Sequence, residues 1–204
     1  MEALFNNFGQ THLLVILGAY LAGSIPFGLL LTRAKGLGDL RQVGSGSVGA
    51  TNVLRTGSKG LAFLTVLLDA GKGAAAVLVA NQLWGVELTL WAGLFDVLGH
   101  DFTLWLNFKG GKGVATSFGV LLAIAWPVAL TAGLIWLVVA LVSRYSSLAA
   151  LAAFAVAPAY AWWQSDTSHA LLALILCLLG FARHHANIAR LVQGRESRIG
   201  SKAT

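Results

Sequence analysis

A chain of 204 residues, of which 57% are hydrophobic and only 11% charged, with a mean hydropathy of +0.75, has too much apolar surface for the core of one soluble domain. Residues 1–204 read instead as a single integral membrane domain. One cysteine, Cys177, inside an apolar stretch, excludes a disulfide framework and a cysteine metal site, and the net charge of +6 requires no nucleic-acid partner because membrane topology explains where the charges lie.

The N-terminus has no basic leader, and the first apolar run, 13–31, continues past its glycines without a cleavage site; it reads as a retained helix. Further apolar runs cover 61–80, 88–106, 114–126, 128–142, 148–163 and 170–182. The first three are long enough to span. The last four fall short of the ~20 residues a perpendicular helix needs, so they must draw in flanking residues, cross a thin bilayer or be partly re-entrant. The expected fold class is an all-α integral membrane protein of about seven transmembrane helices.

Lysine and arginine fall in alternate connections: Arg33, Lys35, Arg41, Arg55 and Lys59 after the first run, Lys109 and Lys112 after the third, Arg144 after the fifth, and Arg183, Arg190, Arg195, Arg198 and Lys202 in the tail. The other connections hold Glu2, Glu87 and Asp166 and no basic residue. This asymmetry predicts the N-terminus outside and the C-terminus cytoplasmic. It also requires a break at Pro127, since one kinked helix over 114–142 would put Arg144 and the tail on the wrong side. Five crossings, with two short runs paired as a re-entrant hairpin, satisfy the same rule. Trp105, Trp126, Trp162 and Trp163, near run ends, are expected as interfacial anchors.

Lys72 is the one basic residue inside a run, and Asp69 lies three residues earlier on the same helical face. A structural buried pair and a substrate role are equally open for it.

Four segments carry candidate chemistry. In "GSGSVGATNVLR", 44–55, Gly44, Gly46 and Gly49 permit close backbone approach to an oxyanion, Ser45, Ser47 and Thr51 offer hydroxyls, Asn52 an amide, and Arg55 a planar fork for phosphate. A plain loop entering a helix capped by Thr51 or Asn52 is the competing reading. His100, in "LGHDFTLW", reads as a histidine bonded to a neighbouring helix. In "KGGKGVAT", 109–116, Gly110, Gly111 and Gly113 surround Lys112 just before a helix, where free amides and a full positive charge favour an anion. It is not a nucleotide loop of the Walker type, because Gly113 stands where a metal-binding hydroxyl is needed. "SRYSSLA", 143–149, places Ser147 ahead of a helix, and in "RHHANIARL", 183–191, His184 and Asn187 share a face while the adjacent histidines cannot chelate a metal together. All four segments fall on the predicted cytoplasmic face, which favours one shared site for phosphorylated substrates. A membrane transporter of a phosphorylated small molecule is the alternative; its groups belong near the bilayer midplane, where only Asp69 and Lys72 qualify.

In order, "GSIPFG", "GSGSVGATNVLR", "FKGGKGVAT", "RYSSLA" and "RHHANIARLVQGRE" resemble the bacterial acyl-phosphate:glycerol-3-phosphate acyltransferase family, from Gly23 to Glu196. Ser47 departs from the asparagine usual there. The resemblance implies transfer of a fatty acyl group from acyl phosphate to the 1-hydroxyl of sn-glycerol 3-phosphate, giving lysophosphatidate and phosphate, the first step of phospholipid biosynthesis in the bacterial inner membrane. It implies no cofactor and no direct use of CoA or acyl carrier protein. None of the five histidines is followed five residues later by aspartate, which sets the chain apart from acyltransferases of the H-x-x-x-x-D type. The expected catalytic residues are Lys112, Arg55, Ser45 and His184; the expected substrate-binding residues are Thr51, Asn52, Gly110, Gly111, Gly113, Ser147 and Asn187, with the glycine amides holding the acyl phosphate. The departing phosphate is expected to take the hydroxyl proton, with His184 as the competing base.

Overall fold

The computed structural model describes residues 9–200, and among them every regular element is helical. In chain order these are α1 (Gln10–Gly23), α2 (Phe27–Ala34), a 3₁₀ turn (Leu40–Gln42), α3 (Ala50–Arg55), α4 (Lys59–Trp84), α5 (Val86–Asp101), a second 3₁₀ turn (Leu104–Leu106), α6 (Val114–Ile124), α7 (Trp126–Ser143), α8 (Ser146–Gln164), α9 (Thr167–Arg183) and α10 (His185–Val192). By length and composition four segments can cross a bilayer, namely Gln10–Ala34, α4, α7 and α8, or five if α9 and α10, bent by 61°, are one broken span.

Each boundary has a local cause. Pro26, which lacks an N–H, interrupts the first span, and at the break the Ile25 carbonyl accepts from the Phe27 amide at 3.1 Å. Gly85, at φ 84, turns α4 into α5. α6 stops at Ala125, and Pro127 sits in the first turn of α7, where a missing donor costs nothing; the break expected at Pro127 therefore occurs there. One expected length is corrected. The run 88–106 is helical only to Asp101, because Phe102 leaves helical geometry and Asn107 and Phe108 take positive φ, folding the chain back beside the end of α5. Of the short runs, 128–142 and 148–163 draw in flanking residues, as one of the expected alternatives has it, and α7 and α8 reach 18 and 19 residues.

The helices approach closely through small residues, as expected where lipid supplies no hydrophobic drive between them. A Cβ on Gly99 would lie 2.1 Å from the Tyr20 carbonyl oxygen, and one on Gly119 1.9 Å from that of Ala70. Those contacts lock α5 against α1 and α6 against α4. A core of Val77, Val97, Val120, Val128, Leu172 and Leu176 joins α4, α5, α6, α7 and α9. Leu130, Leu134, Leu137 and Leu141 form an exposed stripe along α7, and Trp105, Trp126, Trp162 and Trp163 are also exposed; apolar patches of that extent suit lipid rather than water.

Candidate active site

A cavity of about 800 Å³ opens among the connections and runs down between α6, α7 and α8. Ser45, Thr51, Asn52, Arg55, Lys112, Ser147, His184 and Asn187 all line it, so the four candidate segments converge on one space. Its deeper walls are mostly apolar, with Val66, Phe118, Leu121, Trp136, Leu137, Ala153, Phe154 and Ala157, and carry Asp69, His100 and Ser117 among them. The shape is thus a polar mouth continued by a greasy arm. Val114 and Ala115, and Ser146 and Ser147, bring the first turns of α6 and α8 to the mouth, adding the positive ends of two helix dipoles to the lysine and arginines.

The first glycine-rich segment is held by its own asparagine. Asn52 is buried, its amide donates to the carbonyl oxygens of Leu40 (3.0 Å), Val43 (2.9 Å) and Ser47 (2.8 Å), and its Oδ1 accepts from Arg55 at 3.1 Å. Gly44 and Gly46 have positive φ. The cap of α3 is Gly49, not Thr51 or Asn52. Asn52 therefore shapes the loop and aims Arg55, while Ser45 is exposed at the mouth and Thr51 pairs its hydroxyl with that of Ser146 at 3.0 Å. The other end of the Arg55 guanidinium donates to the Ser197 hydroxyl.

The second segment works differently from expectation. The Gly110 amide donates to the Asp101 carbonyl at 3.2 Å and that of Gly111 to His100 at 2.9 Å, so neither is free for a phosphate. On the other side Arg183 donates from Nε and Nη2 to the Gly111 carbonyl at 3.1 and 2.9 Å. A Cβ on Gly110 would meet the His100 carbonyl oxygen at 2.1 Å and one on Gly111 the His100 Nε2 at 2.0 Å. These glycines are there for close packing against α5, and Gly113, in the left-handed region at φ 68, starts α6. Of the segment, Lys112 lines the cavity and the three glycines do not. Burial pushes the Lys112 ammonium down to about 8 against the pull of Glu196, with Arg190, Arg55 and Arg183 pushing the same way.

At the third wall, His184 caps α10 with its ring Nδ1 2.7 Å from the Gly180 carbonyl, which makes Nδ1 the donor and leaves Nε2 as an acceptor. Burial, helped by Lys112, holds this imidazole down at about 4. Glu196 is the organising group that the sequence reading missed. Its Oε1 accepts from Ser147 at 2.8 Å and from Asn187 at 2.6 Å, and its Oε2 from Arg190 at 2.6 Å. Burial pushes this carboxyl up, and those three hydrogen bonds outweigh it and hold it below the usual glutamate range. The available signal was composition: Glu196 is the only acidic residue after Asp166.

The family model described as glycerol-3-phosphate acyltransferase matches residues 13–194. A glycerol-3-phosphate acyltransferase of Paramagnetospirillum magneticum is 58% identical over 186 residues, covering 91% of this chain and 92% of the relative; one from Rhodospirillum rubrum is 58% identical over 194 residues, covering 91% and 90%. Among solved structures, the glycerol 3-phosphate form of PlsY (YgiH), an integral membrane glycerol 3-phosphate acyltransferase, superposes with a TM-score of 0.88 at 41% identity, covering 93% of this chain and 96% of that one. The lysophosphatidic acid form of the same enzyme gives 0.86 at 39% identity.

Proposed function

The chain belongs to the glycerol-3-phosphate acyltransferase family, and we propose that its acyl donor is a fatty acyl phosphate and that the cavity described above is where the transfer occurs. It is a membrane enzyme of phospholipid synthesis, acylating glycerol 3-phosphate. The observation that carries the site assignment is the junction of a cationic mouth with an apolar arm in one cavity. A phosphorylated head and a fatty tail need those two environments side by side.

Lys112 and Arg55 hold the glycerol phosphate; Ser45, His184 and Asn187 orient its glycerol, placing the 1-hydroxyl near the acyl carbonyl. Thr51, Ser147 and the first turn of α6 hold the acyl phosphate, whose chain runs down the arm past Phe118 and Phe154. Clustered cations overcome the repulsion of two polyanions and fix the approach, which is where positioning and charge stabilisation act. The hydroxyl oxygen bonds to the acyl carbon, the bond from that carbon to the phosphate oxygen breaks, and the hydroxyl proton passes to the departing phosphate. With its pKa near 4, His184 is a weak base at neutral pH. It serves better as a hydrogen-bonding neighbour held in one tautomer by Gly180.

Seven membrane-crossing segments, N-terminus outside and the site facing the cytoplasm of the bacterial inner membrane, fit the gathering of all four basic connections around one mouth. The donor is tested with purified protein given palmitoyl phosphate, palmitoyl-CoA or palmitoyl-acyl carrier protein, each with glycerol 3-phosphate. Lysophosphatidate should form from the acyl phosphate alone, without divalent metal; product from either thioester would overturn the donor assignment.

A further inference from the structure

A buried polar chain to which the reaction above gives no role borders the same cavity, with Asp69 and His100 in its wall. Lys72, on α4, donates from Nζ to the Ile25 carbonyl and to His100 Nδ1, both at 2.9 Å, and forms an ion pair with Asp69 Oδ1 at 2.9 Å. All three side chains are buried, with relative exposures of 8% for Lys72, 2% for Asp69 and 4% for His100. An ammonium inside a membrane bundle is costly and persists where it is paired. This one joins three elements: the Pro26 break between α1 and α2, the middle of α4 and the end of α5.

Its effect reaches Lys112 through one ring. His100 Nδ1 lies 2.9 Å from the Lys72 ammonium and 3.6 Å from Asp69 Oδ1, which is beyond hydrogen-bonding distance; because Lys72 has only protons to give, Nδ1 accepts and the ring proton is placed on Nε2. That Nε2 edge faces Gly111, where a Cβ would approach to 2.0 Å, while the His100 carbonyl takes the Gly111 amide at 2.9 Å. The glycine loop is therefore seated on His100, and Lys112 is the next residue.

We infer that Asp69 and Lys72 are positioning residues for this acyltransferase: they fix the orientation and tautomer of His100, whose ring edge sets where the Gly110–Gly111 turn lies and so where Lys112 presents its ammonium to the substrate phosphate. This rests on the reading of Lys112 as a phosphate-holding residue. It answers the question that the sequence leaves open for the Asp69–Lys72 pair, and it explains why an ion pair this deep is kept when an apolar pair of similar size would pack as well.

The test is a double-mutant cycle between the pair and Lys112. Asp69→Asn/Lys72→Met removes both charges together, and the Ile25 carbonyl keeps the Phe27 amide at 3.1 Å as its donor. Lysophosphatidate formation is measured against glycerol 3-phosphate concentration in the Lys112 and Lys112→Met backgrounds. The expected result is at least a tenfold loss of kcat/KM with Lys112 present and less than a twofold further loss with Met in its place. Equal fold-losses in both backgrounds, or no loss in either, would overturn the inference. Lys112→Met without loss on its own would instead overturn the phosphate reading beneath it, so the two failures differ. ¹⁵N-histidine spectra supply a readout that general destabilisation does not move: His100 should carry its proton on Nε2 in the native protein and mix tautomers in the double variant. Should the double variant not be recovered folded, His100→Gln goes through the same cycle with the same two outcomes.

Discussion

The two glycine-rich segments around the cavity have similar compositions and are built on different physics. Residues 40–55 are self-supporting: Gly44 and Gly46 take positive φ, and one side chain within the stretch, Asn52, reaches the carbonyls of Leu40, Val43 and Ser47. Residues 109–113 have no internal support. They are clamped from outside, by the end of α5 on one side and Arg183 on the other, and their glycines are absences of side chain that let the clamp close. A local loop can be altered residue by residue. A clamped one fails when either jaw is obstructed.

That contrast is most exposed to a single methyl group. Gly111→Ala puts a Cβ into the His100 ring, whereas Gly49→Ala, at φ −79, meets nothing nearer than the Ser47 hydroxyl at 3.6 Å. Acyltransferase kcat/KM should fall by about 100-fold or more for Gly111→Ala, about 2.7 kcal/mol of transition-state stabilisation, and change less than about threefold for Gly49→Ala. Comparable losses in the two variants would erase the distinction.

Asn52→Ala probes the self-supporting loop. It removes the side-chain donor shared by three carbonyls, of which Leu40 and Val43 keep one backbone amide each, and leaves Arg55 without its Oδ1 anchor. The expected cost is about 2–3 kcal/mol of stability, read as a lowered Tm in detergent, together with a KM for glycerol 3-phosphate raised about tenfold. A variant of native Tm would mean that the loop is held by something else.

A smaller, graded effect comes from pH. Lys112 is protonated below about 8 in the folded protein and below 10.5 when unperturbed, so kcat/KM for glycerol 3-phosphate should decline as pH rises through about 8. Between 8 and 10.5 the unfolded chain holds a proton that the folded one has released, so this group makes stability rise with pH there; the activity loss is then not unfolding. Lys112→Arg should move the alkaline limb above pH 10. A limb that stays near 8 would assign it to another group.

Much of the site was legible in the sequence because its chemistry is carried by residue types that rarely serve packing. Arg55, Lys112, His184 and Asn187 stand out against apolar runs, and the structure gathers them around one cavity. What was not legible depends on who sits opposite. Gly110 and Gly111 look the same in sequence whether their amides face a ligand or the end of α5, and only the fold-back after Asp101 decides between the two. Glu196 was visible as an isolated acid, but its three donors, Ser147 of α8 and Asn187 and Arg190 of α10, come together around it only after folding. The run 88–106 was read too long for a related reason. Hydropathy sees where polar residues begin, whereas a helix ends where its geometry is broken, as at Phe102, or continues through polar residues, as at Ser143 and Gln164.

The central claim is that both segments, by different means, deliver one cation each to the same substrate phosphate. Calorimetric binding of glycerol 3-phosphate to the native protein, Arg55→Met and Lys112→Met tests it without turnover. Each substitution should weaken binding at least tenfold; native affinity in either variant would contradict the shared cradle.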